Sequence, residues 1–157
     1  MVARACFRRG GKKGLRTADH GTVLPQDMSH QGKPSAKVAG FIRQLRRFAL
    51  SFPETREDHP WDHLAFKVRN KVFLFVGADA EGWGISVKLE ESHATALRRP
   101  FASPTRYGLG KHGWVSARFG PRENAPIDLL KRWVEESFTV IAPLKVLELL
   151  EKQPRRR

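Results

Sequence analysis

The chain has one cysteine, Cys6, in 157 residues. A lone cysteine excludes an intrachain disulfide and fits a reducing compartment. No apolar run approaches the ~20 residues that a membrane helix needs, so no membrane span is expected. The N-terminus is basic but lacks the apolar core of a secretory signal, which points to a cytoplasmic protein. Acids are also scarce: 16 Asp and Glu stand against 29 Lys and Arg, for a formal net charge of +13. Missing as well are a nucleophile elbow, a zinc or EF-hand spacing and a catalytic triad. Cys6 lies in the basic leader, far from any candidate base, and the histidines stand without a nucleophile or acid–base partner. An enzyme is therefore not expected, and no catalytic residue, metal or cofactor is assigned.

The positive charge is unevenly spread. Residues 1–34 hold seven Lys and Arg against two acids, residues 35–152 hold nineteen against fourteen, and the last five residues add three arginines. A net positive field favours polyanions such as nucleic acid, although it also serves solubility alone. The organisation expected is a disordered basic extension over 1–34, one domain over 35–152 and a basic tail over 153–157. Residues 1–27 read either as a transit-like, Arg-rich leader or as an over-extended translation start ahead of Met28.

Hydrophobic periodicity gives the elements. Val38, Phe41, Ile42, Leu45, Phe48 and Ala49 fall at helical spacing, with Ser35 placed to cap. Residues 51–62 read as an acidic, proline-bounded loop. Leu64, Phe66 and Val68 alternate as a strand, and Arg69-Asn70-Lys71 reads as a hairpin turn centred on Asn70. Val72 to Val76 is a continuous apolar run that suits a central strand. Trp83, Ile85, Val87 and Leu89 alternate again, and Glu90 to Arg99 reads as a short helix with acids first and bases last. Residues 101–106 read as loop and 113–119 as a strand. Asn124 and Pro126 open a helix with the apolar face Ile127, Leu130, Trp133, Val134, Phe138 and Ile141, and Pro143 can begin another. Sequential strands with short connections predict a two-layer α+β domain. Its sheet is antiparallel, of about five strands, with helices packed on one face.

Three constellations carry chemistry. Gly108-Leu109-Gly110-Lys111-His112-Gly113 matches G-x-G-x-x-G, yet an alternating strand follows it where the dinucleotide fingerprint needs a helix. It reads as a glycine-rich turn, able at most to bring backbone close to a phosphate beside Arg106 and Lys111. Basic groups form three sets: Arg43, Arg46 and Arg47 on the first helix, Arg69 and Lys71 at the hairpin, and Arg106 and Lys111 at the later loop. Such cations on rigid elements are what phosphate contacts require, and a solvated face is the plain alternative. Trp61, His63, His112 and Trp114 cluster near strand entrances and are the candidate lining of a ligand groove, with Trp61 or Trp114 partly exposed. Trp83 and Trp133 read as core.

The segments PWDHLAFKV and KVFLFV, a Trp-led alternating strand, a short Glu-Glu helix and GKHGWV occur in that order. Together they resemble the MmcQ/YjbR family over about residues 41–150. The resemblance implies a frataxin-like α+β fold, a double-wing DNA-binding arrangement, a non-enzymatic role and a bacterial cytoplasmic setting. Asp62 departs from the small residue that the family carries between Trp and His, and an acid there would repel phosphate. The function expected is a small DNA-binding protein, monomeric or dimeric with the monomer favoured. It would contact duplex phosphates through the three basic sets, with weak sequence specificity. The alternative is a small-molecule or metal-binding domain that uses the Trp/His groove.

Overall fold

The computed structural model describes residues 33–60 and 63–154. The expectation of disorder for 1–34 falls almost wholly outside them. Trp61, Asp62 and the last three arginines lie outside them too.

Helix α1 (Ala36–Ala49) starts where Ser35 accepts the Val38 amide at 3.3 Å, the predicted cap. Its predicted stripe faces inward: Val38, Leu45 and Ala49 are buried, and Phe41, Ile42 and Phe48 pack against the core. Six strands follow: β1 (Thr55–Asp58), β2 (Leu64–Val68), β3 (Lys71–Asp79), β4 (Gly82–Lys88), β5 (Ala102–Pro104) and β6 (Trp114–Phe119). They form one antiparallel sheet in the order β1-β2-β3-β4-β6-β5. The α+β architecture is as expected, with six strands in place of about five. Both short edge strands, β1 and β5, occupy segments read as loop.

Between β4 and β5 only one turn is helical, α2 (His93–Ala96), shorter than the Glu90–Arg99 span expected. Its entrance is held from outside: the Glu136 carboxylate accepts the amides of Glu90 at 2.9 Å and Ser92 at 3.0 Å. A partner from another helix thus takes the place that Glu90 and Glu91 were expected to hold at the helix start. Helix α3 (Ile127–Ile141) lies over β3 and β4 beside α1, and α4 (Leu144–Lys152) closes the domain. Among the described residues no helix is long and apolar enough to cross a membrane.

The core lies between the sheet and these helices. Phe138 of α3 stacks on Phe52 with ring centroids 4.5 Å apart and meets Phe73 edge-on at 5.3 Å. Trp83 and Trp133 are buried there, as predicted. The continuous run in β3 has a specific cause. The β2–β3 register shifts between Phe66 and Lys67, so Phe73 is an extra residue opposite that step. A bulge of this kind sends two successive side chains to one face. Phe73 and Leu74 are accordingly both fully buried. Ser137 pins α3 over this point, donating to the Phe73 carbonyl at 2.6 Å and accepting the Lys88 amide at 2.9 Å.

Candidate nucleic-acid interface

The register defines two ends of the sheet. At one end lie the β3–β4 turn at 79–82, the β1–β2 connection and the segment after β6. At the other lie the end of α1, the β2–β3 turn at 69–70 and the β5–β6 loop at 105–113. Two of the three basic sets, at the hairpin and at the later loop, reach this second end, and the third approaches it. Arg46 and Arg47 sit in the last turn of α1, while Arg43 lies about one turn further back. The β2–β3 turn and the β5–β6 loop are separated by three strand spacings, about 14 Å.

Several of these cations are engaged. Arg46 pairs with Glu57 of β1, and the other oxygen of that carboxylate meets His59 Nε2 at 2.9 Å. Arg69 pairs with Glu54, which lies beside it because the Arg69 amide bonds the Glu54 carbonyl at 3.2 Å. The guanidinium holds the Glu54 carboxyl below its ordinary range, and the carboxylate raises Arg69 in turn. Lys67 does the same to Asp58, aided by the His59 amide. The left-handed residue of the hairpin is Arg69, at φ 54°, and not Asn70; the Asn70 side chain accepts from Arg56 at 3.0 Å. By contrast Arg43, Arg47, Lys71 and Lys111 are exposed and make no ion pair among the described residues. Arg106 is exposed and has partners of its own.

The glycine-rich segment is a turn, as read. Gly108 and Gly113, at φ 79° and 85°, bracket a 3-10 turn at Leu109–His112 that feeds β6. A Cβ on Gly110 would stand 2.9 Å from the Thr105 carbonyl, so the loop folds tightly on itself and holds Lys111 at its exposed crest.

The Trp/His groove is not assembled. His63 precedes β2 at the 79–82 end, whereas His112 precedes β6 at the opposite end. Of the two rings of which one was expected to be partly exposed, Trp114 is buried at 9% exposure and Trp61 lies outside the described residues. No cluster of three His, Cys, Asp or Glu able to hold a metal occurs among the described residues. Glu54 and Glu57 read only as part of an acidic loop able at most to bind a metal, and sequence reasoning missed their pairing. Glu54 meets Arg69 at the end of β2, and Glu57 meets Arg46 of α1, once β1 joins the sheet. Sequence reasoning also missed Phe75, which alternation alone hides inside a uniformly apolar run.

A family model described as YjbR matches residues 50–140. Two solved structures are similar to this chain, and the first of them shares its fold. A Deinococcus radiodurans protein with a DUF419 domain is 21% identical, with a TM-score of 0.54, over 70% of this chain and 87% of that one. A Pseudomonas syringae protein is also 21% identical, with a TM-score of 0.48, over 62% of this chain and 96% of that one. No curated protein matches the chain in sequence.

Proposed function

The chain belongs to the YjbR family, and on that premise we propose that it is a small, non-enzymatic, cytoplasmic protein that binds duplex DNA through its phosphates. One observation carries the reading. The β2–β3 turn and the β5–β6 loop present Lys71 and Lys111 at the same end of the sheet, exposed and without acid partners among the described residues. Their separation of about 14 Å is close to the ~12 Å width of a major groove, so the two tips can reach phosphates on opposite sides of one groove. Arg47 at the end of α1 adds a third contact from the helical layer, with Arg43 behind it. Arg46, Arg69 and Arg106 complete the set in a secondary role, since each must exchange a partner it already has. The two tips carry lysines, point charges without a planar fork, and the free arginines sit back on α1, which fits weak sequence preference.

A salt titration of the full chain on a labelled duplex tests this. Phosphate contacts release counterions, so log affinity falls with log salt at about −0.9 per phosphate. Four contacts give a slope of about −3 to −4. A slope near zero, or no binding at low salt, removes the reading.

A further inference from the structure

The sheet face turned away from α1 and α3 carries a second aromatic assembly. Trp83 stacks on Phe41 of α1, so alternation along β4 puts Ile85 and Val87 toward the helices and Ser86 and Lys88 on the opposite face. Phe75 stands directly opposite Ser86, and Trp114 directly opposite Lys88. Their rings meet across β4 with centroids 5.7 Å apart. Neither residue belongs to the core cluster between the sheet and the helices, although Trp114 is itself buried. Phe75 keeps part of its ring in solvent, and Trp114 buttresses it.

Beside this pair runs a chain of three hydroxyls. Ser86 and Ser116 are 2.7 Å apart, and Thr105 and Ser116 are 2.9 Å apart. A chain of three hydroxyls uses two of its hydrogens internally; Ser86 and Thr105 are buried, so half-buried Ser116 is the member that meets an external polar edge. Lys88, next to Trp114, makes no ion pair among the described residues, and Lys111 lies just beyond the same strand ends. Of the other cations on this face, Lys67 pairs with Asp58, Arg118 pairs with Asp79 and Arg56 donates to the Asn70 side chain.

We propose that this face binds single-stranded nucleic acid, with one base stacked on Phe75 against Trp114, its polar edge at the Ser86–Ser116–Thr105 chain and a neighbouring phosphate at Lys88. Aromatic side chains beside cations are the stacking-and-funnel chemistry that unpaired strands require. A paired base in a duplex offers no exposed π-face to Phe75. The site is therefore separate from the duplex contacts at the strand ends and does not depend on them.

The test titrates a labelled 15-mer of oligothymidylate with the full chain at low salt, alongside a duplex of equal length. Phe75→Leu keeps most of the volume and removes the π-face. It should cost the 15-mer about tenfold or more in affinity, because stacking contributes about 1–3 kcal/mol per base. Duplex affinity should stay within about twofold, and Lys88→Gln should weaken the 15-mer by severalfold through one lost phosphate contact. The 15-mer should also quench tryptophan emission in the unsubstituted protein, and Trp114→Phe should abolish that quench, a readout that does not rely on the stability of the Phe75 variant. The proposal is overturned if Phe75→Leu binds the 15-mer unchanged, or if thymidine monophosphate competes as well as the 15-mer. Duplex binding without 15-mer binding also overturns it, and leaves the duplex reading standing.

Discussion

At the 79–82 end of the sheet a buried charge and several backbone groups are engaged by the fold. Asp79 is buried, accepts from Arg118 at 2.7 Å across the strand between them, and accepts the Glu81 amide at 2.9 Å. Gly84 makes the reach possible. It sits opposite Arg118 and has no side chain, and an added Cβ would stand 2.5 Å from the Ala117 carbonyl. Ser35 and Lys37 donate to the carbonyls of Pro121 and Arg122, and Glu123 accepts the Gly120 amide. At the 69–71 end two arginines are neutralised by Glu54 and Glu57, yet Arg47, Lys71 and Lys111 are left over. The contrast separates charges that hold the fold together from charges that the fold merely displays. The displayed ones are where a polyanion gains most, because no internal partner has to be given up first.

The largest effect is expected from Asp79→Ala. It removes a charged hydrogen bond and an amide acceptor, so thermal unfolding should show a loss of about 3 kcal/mol, or roughly 6–10 °C in Tm. Duplex affinity of the folded variant should be unchanged. Next comes the double reversal Lys71→Glu with Lys111→Glu. Losing two phosphate contacts should lower duplex affinity about 50-fold at 0.1 M salt and flatten the salt slope by about 2, with little change in Tm.

Glu54 sharpens the comparison in the opposite direction. Glu54→Gln frees Arg69 and should raise duplex affinity severalfold, read by the same titration. The pH dependence follows from the same pair. The folded carboxyl lies below its ordinary value, so its contribution to stability is present above the unfolded pKa. That contribution is lost only as pH falls through the lower folded value, and Glu54→Gln should remove this part of the acid sensitivity of the melting curve. Burial opposes ionisation of Glu136, but the Ser92 and Glu90 amides outweigh it and hold its carboxyl low, so the α2 entrance loosens in the same acid window. The smallest effect is expected from Arg122→Glu. It lies at the 79–82 end, about 20 Å from the proposed contacts, or two Debye lengths at 0.1 M salt, and should change duplex affinity less than twofold.

The parts of the fold set by periodicity were legible in the sequence. The stripe of α1, the alternation of β2, β4 and β6 and the apolar face of α3 each repeat often enough to fix an element. The edges were not. Thr55-Arg56-Glu57-Asp58 carries three charges and Ala102-Ser103-Pro104 ends in proline, compositions that edge strands tolerate and that otherwise mark loops. The identity of the basic groups was legible by type, but their pairing was not. Arg46 and Arg69 read like Arg47 and Lys71 until β1 brings Glu57 and Glu54 beside them. The meeting of the turn at 69–70 with the loop at 105–113 depends on β4 pairing with β6 across an intervening helix and edge strand, a long-range register that no local pattern encodes. The Trp/His groove failed for the same reason, since two strand entrances close in sequence logic open at opposite ends of the sheet.

The most direct test of the duplex reading is the map of backbone amide shifts in the full chain as a short DNA duplex is added at low salt. The account predicts that perturbations concentrate at the end of α1, at residues 69–71 and at residues 105–113, while residues 79–82 and 120–126 stay still. Shifts centred on the 79–82 end, or spread evenly over the surface, would contradict it.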